Sequence, residues 1–224
     1  MRSLPDSSTA LHPGRETMPI RLCLFAPLLI FLTAARACPQ IVLNEALPAP
    51  GTDWTDNGIF SSQEDEWIEL YNGGSLSKDI SGYFVTDASG TPRIGFSGSM
   101  APGDYVFASG EHAVDWEALA GFPAVGLSLN NSGDTVYLFQ AAGGTTTLVD
   151  SLAYIAADVD PNVSIGRLPD GTGPWTVFDA LLEGGAGLQP TPGGENGGIA
   201  RPKILATEVD PSFPTSADSI TVRA

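Results

Sequence analysis

Cysteine and histidine are close to absent, with two of each in 224 residues. Zinc sites draw three or four ligands from Cys, His and carboxylates, and only His112 lies beyond the apolar leader, so a multi-histidine centre is excluded. A Ser-His-Asp arrangement would depend on His112 alone, which follows Gly110-Glu111 without a Gly-x-Ser-x-Gly nucleophile elbow. Cys23 falls inside an apolar run and Cys38 stands alone after it, which leaves no internal disulfide framework. Basic residues are also scarce, ten Lys and Arg against 26 Asp and Glu, for a formal charge of −16. A chain of that sign repels nucleic-acid phosphates and anionic headgroups, so direct nucleic-acid binding is excluded. No long helical period is present, and beyond the leader no apolar stretch is long enough to cross a bilayer.

What the chain does have is 42% hydrophobic residues, enough for a packed core, with 26 glycines and 18 prolines dispersed among short apolar runs. In Glu66-Trp-Ile-Glu-Leu-Tyr-Asn72, Ile68 and Leu70 share one face of an extended chain while Trp67, Glu69 and Tyr71 share the other. The same alternation predicts strands over 41–43, 67–71, 79–85, 105–107, 135–139, 148–154 and 163–167. Val136 and Leu138 are expected to face the core. Turns fall at Met100-Ala-Pro-Gly103, Asn130-Asn-Ser-Gly-Asp134, Gly143-Gly144 and Pro169-Asp-Gly171. One short helix is expected over 112–120. Strands at this spacing without helices between them predict an antiparallel sandwich.

The start of the chain reads as an export signal. Met18-Pro-Ile-Arg21 gives a basic opening, 22–32 is apolar, and Thr33-Ala-Ala35-Arg36-Ala37 ends in small residues suited to cleavage. The bland alternative, a buried strand or helix, does not account for that three-part pattern. Met18 is then the natural start, 18–37 the signal peptide and 1–17 a non-native upstream extension. Cleavage removes four basic residues (Arg2, Arg15, Arg21, Arg36) and two acidic ones (Asp6, Glu16), moving the formal charge from −16 to −18. It also leaves Cys38 at the new terminus, like the acceptor of bacterial lipoprotein signals, although Ala35-Arg36-Ala37 departs from the usual residues before it. Lipidation at Cys38 and simple secretion both remain open, and that anchor is the one expected route to a membrane. The expected location is secreted or extracytoplasmic, at a cell surface or in a periplasm.

The ordered phrases carry a resemblance. They run Ile41-Val-Leu-Asn-Glu45, Glu66-Trp-Ile-Glu-Leu-Tyr-Asn72, Asp79-Ile-Ser-Gly-Tyr83, Met100-Ala-Pro-Gly-Asp-Tyr105, Asn131-Ser-Gly-Asp-Thr-Val136, Val149-Asp-Ser-Leu-Ala-Tyr154, Ser164-Ile-Gly-Arg-Leu-Pro-Asp-Gly171 and Thr191-Pro-Gly-Gly-Glu-Asn196. Together they resemble lamin tail domains in their bacterial, secreted form. The resemblance implies an all-β fold, an immunoglobulin-like antiparallel β-sandwich over 39–197, used as a binding or tethering module with no catalytic residues. The nuclear filament role of animal lamins does not transfer, because this chain has a signal peptide and no coiled-coil rod.

Several side chains invite sharper readings. Asp53, Asp56, Asn57, Glu64 and Asp65 lie in a loop longer than a hairpin needs, and calcium takes six to eight oxygen ligands. Calcium is thus the one candidate cofactor, set against a loop that simply faces water, since the spacing does not match a twelve-residue calcium loop. Trp54 in the same loop is a candidate sugar platform, or else an aromatic closing over the sandwich edge. Glu66 and Glu69 are available carboxylates for glycoside cleavage, but Glu69 opposes Ile68 and Leu70, which predicts a cross-strand polar pair or a solvent-facing group. After Asn196-Gly-Gly198 the texture changes, and 198–224 reads as a linker with the first strands of a truncated immunoglobulin-like domain, or as a strand docking back onto the sandwich. The expected function is a noncatalytic binding or tethering module at the front of a larger secreted protein, its partner an unidentified protein or cell-surface polysaccharide. The alternatives are a calcium-dependent carbohydrate or cell-wall module, and an accessory domain of an exported hydrolase.

Overall fold

Alternating apolar side chains extend the chain wherever a second layer can bury one face. The computed structural model describes residues 40–181 and 187–197, with the backbone of two further short strands. The export signal, Cys38, residues 1–17 and most of 198–224 lie outside the described residues.

The strands in chain order are β1 (Ile41–Leu47), β2 (Trp67–Asn72), β3 (Lys78–Asp79), β4 (Tyr83–Thr86), β5 (Pro92–Gly95), β6 (Ser99–Met100) and β7 (Tyr105–Ser109). Helix α1 (Gly110–Ala120) follows, then β8 (Gly133–Ala142), β9 (Thr145–Ile155), β10 (Ser164–Arg167) and β11 (Trp175–Phe178). A five-stranded sheet has the order β11-β10-β1-β2-β7, and a four-stranded sheet the order β5-β4-β8-β9. All pairings are antiparallel. The strands β3 and β6 form a small separate pair. Beyond the sandwich, β12 (Glu208–Asp210) pairs with β13 (Thr221–Arg223).

The two large sheets close over one core. Ile41, Leu43, Ile68, Leu70 and Ile165 come from the five-stranded sheet; Val85, Val136, Leu138 and Leu152 come from the other. Each such side chain contributes about 1.5–3 kcal/mol when removed from water. The chain is therefore the expected all-β antiparallel sandwich, with Val136 and Leu138 inward as expected.

Two local departures have clear causes. The expected strand over 79–85 breaks in the middle: Asp79 Oδ1 accepts the Ser81 N–H at 2.8 Å and Gly82 adopts φ +85°, which makes a turn between β3 and β4. In β1 the register slips between Leu43 and Glu45, leaving Asn44 unpaired as a bulge beside Glu69. That slip lets Leu43 and Ala46 both face the core while Glu45 and Leu47 lie on the opposite side of the sheet.

Helix α1 begins two residues before the expected start. Ser109 caps it, its Oγ accepting the His112 N–H at 3.3 Å while His112 Nδ1 accepts the Ser109 N–H at 3.1 Å. His112 is thus a capping residue. Gly121 ends the helix in the left-handed region at φ +79°.

Candidate functional site

The inward placement of Val136 and Leu138 puts Tyr137 and Phe139 on the outer face of the four-stranded sheet. Phe84 of β4, between the core residues Tyr83 and Val85, pairs across the ladder with Phe139. Their rings stack with centroids 5.5 Å apart and planes 21° apart, and Tyr137 lies 6.1 Å from Phe139. All three side chains are half-buried.

Helix α1 extends this row. Trp116 sits so close over Gly95 of β5 that a Cβ there would lie 2.7 Å from its indole nitrogen, so glycine is what admits the ring. Phe122 stacks on Trp116 at 5.8 Å with planes 14° apart. Between Trp116 and Phe84 lies an open, mostly apolar groove of about 350 Å³, lined also by Gly82, Pro92, Phe96 and Ala141. The result is a row of half-buried aromatic side chains, with Trp116 and Phe84 at the groove and Phe139 and Tyr137 beyond Phe84. Such faces stack well on flat apolar ligand surfaces, including the C–H faces of sugar rings.

The loop singled out by its acidic residues is organised differently from a cation site. Asp65 is fully buried, and its Oδ1 accepts the N–H groups of Trp54 at 2.6 Å and Thr55 at 2.9 Å. Its Oδ2 accepts Ser61 N–H at 2.8 Å. Asp53 accepts Gly58 N–H at 2.7 Å and the Thr55 hydroxyl at 3.1 Å, while Asn57 Oδ1 accepts Ile59 N–H at 2.8 Å. Asp56 is exposed at a positive φ of 56°, and Glu64 is half-buried with its backbone bonded to Ser61 and Glu111. These carboxylates shape the turn by binding its backbone donors. Among the described residues no three His, Cys, Asp or Glu side chains gather to hold a metal ion.

Trp54 is not an open platform. It is 7% exposed, its ring packs 5.8 Å from Trp67, and its Nε1 donates to Asn162 Oδ1 at 2.8 Å. It closes the sandwich edge, the alternative reading of the sequence. The half-buried aromatic side chains Phe84, Phe139 and Tyr137 lie on the other sheet.

A second polar assembly covers the outer face of the five-stranded sheet. Glu69, expected to make a cross-strand pair or face water, makes the pair and is fully buried: Asn44 Nδ2 donates to its Oε1 at 2.9 Å and Gly193 N–H to its Oε2 at 2.6 Å. Asn44 Nδ2 also reaches Asp170 Oδ1 at 3.0 Å, and Tyr105 donates to Asp170 Oδ2 at 2.6 Å. Glu45, one strand over, accepts from the Ser164 hydroxyl and the Thr191 N–H, and its Oε2 lies 2.9 Å from Thr191 Oγ1. Burial, only partly offset by hydrogen bonds, pushes Glu45 up to about 7 and Glu69 up to about 8. Glu66 is likewise raised to about 8 by burial, although it accepts Leu129 N–H at 3.0 Å.

Raised carboxyls are a common mark of acid catalysts, but these face protein on every described side and line no cleft. Glu45 and Glu69 hold the segment 187–197 across the sheet. Neither assembly contains a nucleophile and base aimed at a shared space. Sequence reasoning overlooked Glu45 because the residues that bury it, Ser164 and Thr191, lie 119 and 146 positions away. The outward Tyr137 and Phe139 were implicit in the inward Val136 and Leu138, whereas nothing local placed Trp116 beside them.

A family model for the lamin tail domain matches residues 34–156. No curated protein and no solved structure matches the chain. The matched span covers more than half of the 224 residues and takes in β1 to β9, all four strands of one large sheet and three of the five of the other, so the chain belongs to the lamin tail domain family.

Proposed function

We propose that this chain is a noncatalytic, extracytoplasmic binding module that holds a neutral polysaccharide on the aromatic strip Trp116–Phe84–Phe139–Tyr137. The observation that carries the reading is the groove between Trp116 and Phe84, an open surface where aromatic faces are held in place by a glycine, Gly95. Sugars stack on such faces through their C–H surfaces, and a rigid sheet holds the rings at fixed spacing, which lowers the ordering cost of binding. The acidic balance favours an uncharged ligand over nucleic acid or an anionic polymer. The leader at 18–37 supports a location where such polymers occur. Calcium has no role in this reading.

Affinity electrophoresis of the chain through gels carrying soluble neutral polysaccharides tests it. Retardation by at least one polymer, abolished in Trp116→Ala and Phe84→Ala, is the expected outcome. Free migration through every neutral polymer, or retardation unchanged in both variants, contradicts it.

A further inference from the structure

The contacts of segment 187–197 fix the position of a proton. Both hydrogens of the Asn196 amide are committed, to Asn44 O at 3.2 Å and Arg167 O at 2.9 Å. Its Oδ1 therefore faces Thr191 Oγ1 at 2.7 Å, and the single Thr191 hydroxyl hydrogen must lie between them, because two bare acceptors at that distance repel. The same Thr191 oxygen lies 2.9 Å from Glu45 Oε2. With its own hydrogen committed, Thr191 can only accept there, so the hydrogen comes from Glu45, which is a neutral acid. Glu45 Oε1 is left to accept from the Ser164 hydroxyl and, shared with Oε2, from Thr191 N–H at 3.2 Å.

We propose that residues 187–197 form a proton-operated latch, closed on neutral Glu45 and loosened when that acid ionises. Ionisation removes the Glu45–Thr191 donor. Thr191 can rotate its hydroxyl back to Glu45, but Asn196 Oδ1 then loses its own donor, so one buried hydrogen bond is lost either way. The new charge also appears beside like groups: Glu69 from β2 and Asp170 from the turn after β10. Glu195 on the latch itself is exposed. Among the described residues no Lys or Arg side chain bonds to Glu45, Glu69 or Asp170, since Arg167 turns its guanidinium to Asp150, Leu43 O and Gly173 O. Burial holds the neutral form of Glu45 to about pH 7, so the latch opens in the range where extracytoplasmic pH varies.

Amide hydrogen exchange of the full 224-residue chain, read at Thr191 and Gly193 and corrected for the intrinsic rate at each pH, tests the latch. Protection at both amides is expected to fall about tenfold or more between about pH 5.5 and about pH 8.5, while amides of β2 and β8 keep theirs. Glu45→Gln keeps a donor toward Thr191 at every pH and is expected to flatten that dependence. Protection independent of pH in the wild-type chain, or falling equally in E45Q, overturns the proposal. Should E45Q fail to fold, a carbon-13 titration of the wild-type carboxyls decides: a Glu45 midpoint above about 6 supports the latch, and one near the ordinary glutamate value overturns it.

Discussion

Arg167 and Asp150 join the two sheets, with one guanidinium nitrogen 2.9 Å from Asp150 Oδ1 and 3.1 Å from Oδ2. Arg167 belongs to β10 and Asp150 to β9, and each also bonds Leu43 of β1, through its carbonyl at 3.1 Å and its N–H at 3.1 Å respectively. The guanidinium further stacks over Trp175 at 4.2 Å. Both side chains are largely buried, so removing one partner leaves the other charged and unpaired. Asp150→Asn is expected to cost about 2–4 kcal/mol in urea unfolding. A cost no larger than that of an exposed aspartate substitution would show that the pair does not join the sheets.

Glycine is required where segments approach closely. At Gly166 an added Cβ would lie 2.6 Å from the Phe178 ring and 2.8 Å from Asn196 Nδ2, so Gly166→Ala is expected to displace the 187–197 segment and cost about 1–3 kcal/mol. At Gly110 the clash is with the Gln63 carbonyl at 1.9 Å, a backbone atom, and Gly110→Ala is expected to cost more. Thermal unfolding of the two variants gives the order directly.

Stability is expected to fall as pH rises from mildly acid to mildly alkaline. Glu45, Glu66 and Glu69 have folded values of about 7, about 8 and about 8 against an ordinary 4.5. For a group raised in this way the folded chain binds more protons than the unfolded one. The stabilisation is therefore fully present below 4.5 and lost as pH rises through 7 to 8. Urea midpoints measured across that range should decline, and Glu66→Gln should make the decline shallower. A midpoint that rises steadily to pH 8 would contradict the buried, neutral state of these acids.

Calcium in excess is expected to leave the melting temperature unchanged, because Asp65 already binds three backbone N–H groups and the loop carboxylates do not converge. Asp65→Ala, by contrast, orphans those three donors and is expected to cost about 2–4 kcal/mol. A calcium-dependent rise in melting temperature would restore the cation reading of Asp53, Asp56, Asn57, Glu64 and Asp65.

The sandwich was legible because its core strands alternate. Ile68 and Leu70, or Val136 and Leu138, announce an inward face in four or five residues. Three strands were not legible: β5 opens on Pro92, β6 has two residues, and β11 carries no clean alternation, so their pairing with β4, β3 and β10 defines them. In the acidic loop, composition does not reveal that Asp65 turns inward to backbone donors. Glu69 makes the cross-strand pair expected of it, but its burial was not legible. Its face was read correctly, but the segment that covers that face returns from Gly193, 124 residues later.

The four tryptophans give the most direct test of the binding account, since each has its own environment. Trp54 bonds Asn162, Trp67 is fully buried beside it, Trp175 lies under Arg167, and Trp116 borders the open groove. Indole N–H resonances of the labelled chain, followed while a neutral oligosaccharide is added, should show Trp116 shifting in a saturable way while Trp54 and Trp67 stay fixed. A saturable shift confined to Trp54, or no shift of Trp116 at any neutral sugar, would contradict the account.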